Sequence, residues 1–393
     1  MTTDLHVPAF QIDPRALPQP ILTPDPASFA HNTFKVRLPR IILDTIEANE
    51  FPRQISDNLL HLRQEILEGH IRRFTEQTSD RSLWDESVAP QIGRAWLDVP
   101  WYWAEAYLYR RILEATRYFQ TGEWFGVDSY RMKKMEELAP GAAPELLKSL
   151  LEDLPKDAES RLETLIHPSL WGNRTDLSYN VGGDIERHHS VLDERENLLV
   201  INAPRIWKYL RSAKPRRIGF IADNAATELL MDFALIDFLL DNWRVLSIVL
   251  YLKAKPFFVS DAMQADVWDG LAALNAEPLL DLAQRFRGYL STSRLALRSH
   301  WFFTTSLFYF QLPQDLCKEL GELDLVVLKG EVNYRPLLGD AHWNPTTPFE
   351  QATAYFPRRV AALWTLKTEL IVGLEPGEAE RISQQDPRWT TNG

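Results

Sequence analysis

Apolar residues fall into two regimes along this chain. In the first part they recur at helical spacing: Ile55, Leu59, Leu62 and Ile66 line one face of a helix that begins near Phe51. A second helix is predicted over residues 101–119, and a helical block with a charged outer face over residues 144–166. Residues 168–184 are rich in Gly, Asn, Asp and Ser and predict an ordered loop. Beyond it the pattern changes to short unbroken apolar runs separated by helical stretches. Residues 198–202, 218–222, 245–252 and 323–328 read as buried strands. Strands alternating with helices build βαβ units and a largely parallel sheet.

The amino-terminal stretch holds Pro8, Pro14, Pro18, Pro20, Pro24 and Pro26, whose fixed φ and missing donors favour an extended arm wrapped on the body. The expected fold is therefore α/β: a proline-rich arm (1–35), a helical N-terminal domain (36–167), and a three-layer α/β/α domain (168–393) with a mainly parallel central sheet.

Composition narrows the function classes. A chain of 393 residues with 45% hydrophobic residues and 13 Trp can bury a large core. Its net charge of -11 argues against a nucleic-acid partner. The single cysteine, Cys317, rules out an intrachain disulfide and any Cys/His zinc spacing, so a reducing cytoplasmic location is expected. The first residues lack the apolar region of a signal peptide. The most apolar region, 229–252, is broken by Asp232, Asp237, Asp241 and Arg244, so no membrane partner is expected. Oligomeric state is not legible.

Chemistry-bearing residues cluster after the strand-like runs. Asp223-Asn224 follow the run 218–222, at a strand-to-helix junction where open α/β sheets bind ligands and the helix amino end favours anions. Lys253, Lys255, Ser260 and Asp261 follow the next, Lys329, Glu331, Asn333, Arg335 and Asp340 the last, and Lys367 lies nearer the carboxyl terminus. Carboxylates with an amide oxygen form a hard, all-oxygen set suited to magnesium or manganese, and neighbouring cations complement a phosphoryl group. These parts together describe a phosphoryl-transfer site. Taken singly, each has a plainer role. An Asp-Asn pair after a strand is more commonly a turn or helix cap, Glu228 compensates a helix dipole, and Lys367 alone is a surface lysine. Gly182-Gly183 matches no phosphate loop, and His188-His189 lie in a polar segment.

The ordered words WGNRTDLS (171–178), IADNAATEL (221–229), KPFFVSD (255–261) and LVVLKGEVNYRPLLGD (325–340) resemble the metal-dependent damage-control phosphatases, the domain-of-unknown-function 89 group. The likeness is to subfamily III, the acidic-residue methyltransferase-like branch, and runs from about Arg40 to Gly373. It implies a phosphatase of small phosphorylated metabolites, with sugar phosphates as the expected class and manganese, nickel, cobalt or magnesium as cofactor. It also implies that Asp223, Asn224 and Asp261 hold the metal and carry catalysis. Glu228, Lys329, Glu331, Asn333, Tyr334, Arg335 and Lys367 would line the substrate site. Asn173, Asp176 and Ser178, on a loop closing over the site, would stand behind them.

Two positions depart from the family pattern. Glu331 stands where Asp is usual, and Trp364 stands where the Arg-Thr-x-Lys motif has arginine. Two other readings follow: a methyltransferase acting on carboxylates with S-adenosylmethionine, for which no Gly-rich turn is visible, and a binding protein that has lost catalysis.

Overall fold

The computed structural model describes residues 17–140, 142–171, 198–243, 245–275 and 279–390. At its centre stand β1 (Arg217–Ile221), β2 (Ser247–Lys253), β3 (Leu295–His300), β4 (Leu325–Lys329) and β5 (Val360–Leu363), in the order β3-β2-β1-β4-β5. Every pairing is parallel. β4 is buried along its whole length and β1 everywhere but Arg217, because helices cover both faces of the sheet. The chain winds outward from β1 to β3, then crosses back to β4 and β5. The winding thus reverses between β1 and β4, where a doubly wound sheet leaves a crevice at the strands' carboxyl ends.

The α/β class and the parallel sheet match the expectation; particular elements do not. Residues 198–202 form no strand: Val200 and Ile201 are exposed, and the helix Ala203–Ala213 begins directly after them. β3 and β5, unexpected from the pattern, are the two edges. β3 is half polar, LALRSH, and β5 has four residues, so neither shows a long apolar run. Pro168 does not open a loop but lies inside the helix Ala158–Trp171. There Ser169 O accepts a bond from Lys329 Nζ at 2.6 Å, so a tertiary contact holds the helix through its proline. The predicted block 144–166 is two helices, Ala143–Glu152 and Ala158–Trp171. Residues 172–184, with Asn173, Asp176, Ser178 and Gly182-Gly183, lie outside the described residues, as do His188-His189.

One face of the sheet packs on Ala226–Asn242, a helix buried nearly all round because Ala158–Trp171 covers its outer side. The other face shares a continuous apolar core with the helices that precede β1, among them Arg53–Glu68 and Trp101–Ala115. Residues 17–28 carry isolated bridges and turns. Ile21 N bonds Asp340 O at 2.8 Å and Ile21 O accepts from Trp101 N at 3.0 Å, stitching the chain after β4 to the start of the Trp101 helix. From Phe29 the chain is helical.

Arg335 fastens the same junction electrostatically. Its guanidinium bonds Asp340 (2.8 and 3.2 Å) and Glu105 (2.6 Å) and lies 3.9 Å from the centre of the Trp101 ring. All three charged side chains are buried. Removing one partner of such a group leaves the others desolvated and uncompensated. Arg335→Ala is expected to lower stability by about 3–5 kcal/mol, read as a fall in the urea midpoint. Arg335→Lys should recover only part of this, since an ammonium cannot serve both carboxylates as a planar fork does.

Candidate active site

The crevice is built by backbone pairing that continues past the ends of β1 and β2. Asn224 and Asp261 form an antiparallel bridge, flanked by Ala262 N to Asp223 O and Ala225 N to Ser260 O, both 2.7 Å. Residues distant in sequence, Asp223, Asn224 and Asp261, thereby become neighbours, and all three are buried. Ala226 and Phe258 close the two segments with φ of +51° and +49°. That left-handed backbone costs a non-glycine residue about 1 kcal/mol or more.

Each polar atom is oriented by a neighbour. Asn224 Nδ2 donates to Asp223 Oδ2 (3.2 Å) and Glu228 Oε2 (2.8 Å), while its Oδ1 accepts from Ser260 Oγ (2.6 Å). Asp261 pairs with Lys253 Nζ at 3.2 Å, and its carbonyl accepts from Lys134 Nζ at 2.9 Å. Lys253 also reaches Asn333 Oδ1 at 3.2 Å, which Tyr309 OH approaches to 3.3 Å. Asn333 Nδ2 donates to Ala222 O and Lys329 O, tying β1 to β4 at the switch point.

A divalent cation fits this place by the chemistry of its donors: they are carboxylate and amide oxygens, the hard set that such ions select. Gly330, at φ +71°, lies so close to Asp223 that a Cβ there would sit 1.7 Å from Oδ2, so the carboxylate occupies the room a side chain would take. Among the described residues no group of three His, Cys, Asp or Glu side chains could hold a metal ion, so a site here would draw on the Asn224 amide as well.

Several expected substrate-facing residues are placed elsewhere. Lys329 Nζ donates to Ser169 O, Glu228 Oε1 (2.8 Å) and Asp232 Oδ1 (2.7 Å), spending its three protons inside the protein. Burial alone would lower the Lys329 pKa, but the two carboxylates hold it above the usual range. Arg335 is consumed by Glu105 and Asp340, and Lys255 by Asp80 in a box of Trp84, Phe119 and Trp301. Glu228 acts on Asn224 as a brace. The amino end of the helix Ala226–Asn242 is met by Glu137, which accepts from Thr227 N and Oγ1, and not by an external anion.

Glu331, Tyr334 and Lys367 do share one corner. Burial pushes the Glu331 carboxyl up to about 7, against the pull of Arg335 and Lys367, and its side chain keeps 12% exposure. Tyr334 stacks on Trp364 at 3.9 Å with a 15° interplanar angle. The indole in the arginine's place therefore has a defined partner. The sequence listed Lys253 among strand-end lysines without a role, and gave no signal for Lys134 or Tyr309, which reach the crevice only through tertiary packing.

The chain is a phosphatase, a hydrolase of phosphate esters, built on this doubly wound sheet. It belongs to the damage-control phosphatase ARMT1-like family, whose domain model matches residues 33–382. It is 30% identical to the damage-control phosphatase ARMT1 of Danio rerio over 96% of this chain and 95% of that one. It is 29% identical to the Mus musculus protein of that name, over 94% and 95%. A solved domain-of-unknown-function 89 protein from Pyrococcus horikoshii overlays with a TM-score of 0.47 at 15% identity, covering 90% of this chain and 93% of that one. No described helix is long and apolar enough to cross a membrane.

Gly330→Ala puts a methyl group where Asp223 Oδ2 stands. The expected result is a stability loss of about 1–3 kcal/mol with a fall in phosphatase activity of roughly 100-fold, measured by thermal melting and by phosphate release. A variant with unchanged melting and rate would show that Asp223 is not held against this glycine.

Proposed function

We propose that this chain hydrolyses phosphate monoesters of small metabolites, sugar phosphates in particular, with a divalent metal held by Asp223, Asn224 and Asp261. The observation that supports this most is the antiparallel bridge that sets Asn224 beside Asp261 beyond the carboxyl ends of β1 and β2. When bound there, a cation such as manganese, nickel, cobalt or magnesium supplies charge to polarise phosphoryl oxygens and to ready a water. Glu228 and Ser260 hold the Asn224 amide in one orientation, and Lys134 fixes the backbone of Asp261. Lys253 brings positive charge to the same wall, where a phosphoryl group would carry negative charge.

In net terms water adds to phosphorus, the ester P–O bond breaks, and the alcohol leaves protonated. In this reading Glu331 supplies that proton: it follows the glycine that abuts Asp223, its side chain is partly open, and burial raises its carboxyl to about 7. Lys367 beside it favours the carboxylate left after transfer.

Metal dependence is tested by removal and return. Chelation should abolish hydrolysis of a sugar-phosphate panel, and one of the four cations should restore it. Asp261→Asn should weaken cation binding, measured directly by calorimetry, by about 10- to 100-fold or more. Full activity under chelator would defeat the proposal. Micromolar S-adenosylmethionine binding without metal would favour the methyltransferase reading.

The pH dependence has a definite sign. Because the folded Glu331 value lies above its ordinary 4.5, its stability contribution is full below that pH and is lost as pH rises through about 7. Its donor form is lost over the same upper range, so kcat/KM should decline above about pH 7. In Glu331→Gln that limb should vanish, with a lower plateau. The same limb in the variant would remove Glu331 from the mechanism.

A further inference from the structure

A cavity of about 910 Å3 lies beside the crevice, and nothing above assigns it. Two contacts make it adjacent. Gly330, which faces Asp223, donates its N–H to Leu363 O at 2.8 Å, and Leu363 and Trp364 line the cavity. On another side Leu170 lines it, next to the Ser169 carbonyl that holds Lys329.

The apolar part of its wall is Leu170, Ile206, Tyr209, Phe349, Phe356 and Trp364, and Arg205, Arg358, Arg359 and Arg381 also line the cavity. The volume lies toward the upper end of the range for drug-sized ligands, roughly 300–1,000 Å3, so a bare sugar phosphate would leave most of it unfilled. The surface chemistry points the same way. Hydroxyl groups pressed on apolar walls lose their bonds to water without replacement. A flat ring loses little there and gains contact with aromatic faces. Trp364, stacked on Tyr334 but only half-buried, offers such a surface.

The geometry points to a substrate whose sugar carries a planar heterocycle, the class of nucleoside monophosphates, with the ring in this cavity and the phosphate at the crevice. This rests on the phosphatase reading for the phosphate end only. The ring's seat stands on the cavity and the Trp364–Tyr334 stack.

Inosine 5′-monophosphate and ribose 5-phosphate differ by one flat ring, so the full chain can be assayed with both. The expected kcat/KM favours the nucleotide by about tenfold or more. Calorimetry with inosine alone, without metal, reads the ring's seat independently of turnover. Binding should weaken about tenfold in Trp364→Ala and be largely kept in Trp364→Phe. Two results would overturn the assignment: no inosine binding to the wild-type chain at millimolar concentration, or equal kcat/KM for the two esters. Inosine binding without hydrolysis of either ester would refute the phosphatase reading and support the ring's seat.

Discussion

Two backbone hydrogen bonds beyond the ends of β1 and β2 are what the site depends on. A parallel sheet releases both chains at the same edge, but does not by itself pair their backbones once the strands have ended. Here the chain after β2 doubles back, and residues 260–262 run antiparallel to residues 223–225. The reversal requires Phe258 and Ala226 in left-handed backbone, a local cost met by the surrounding packing. Its consequence is that the backbone of Asp261 lies beside that of Asn224 at the carboxyl edge of the sheet.

Placing so many acids in a protein interior would be untenable without internal cations. Lys329 stands between Glu228 and Asp232, Arg335 between Glu105 and Asp340, and Lys255 beside Asp80. Burial draws the Lys255 amine down to about 8 even so. These groups have little charge to lend outward, so they serve the shape of the crevice more than its affinity for an anion. Lys253 and Lys367, set near Asp261 and Glu331, are the lysines whose surroundings connect directly with the reacting end of the proposed site.

The central strands and the Asp-Asn junction were legible because they obey strong local rules: an unbroken apolar run is needed where both faces are covered, and polar residues must follow it. The edges were not. β3 tolerates Arg298, Ser299 and His300 because one side of it is open, and residues 198–202 imitate a strand while exposing Val200 and Ile201. The strand-end lysines show the same divide. Their position beside the sheet's carboxyl edge could be read from order along the chain, but whether Lys329 points to a ligand or to Asp232 is decided by a helix residue 97 positions away. Resemblance to a family carries the residue types across and leaves that orientation unstated.

Trp364 is where sequence and structure combine to most effect. As a replacement for arginine it removes a bidentate donor from the corner that Glu331, Tyr334 and Lys367 occupy. An unsupported indole there would be a defect, yet it stacks flat on Tyr334 and forms part of a cavity wall. In the proposed site the change would trade recognition by charge for recognition by shape at one end. At the other end Asp223, Asn224 and Asp261 are fixed by backbone pairing that does not involve residue 364. A site whose two ends are supported by different elements can alter the alcohol it accepts without disturbing the groups proposed to act on phosphorus.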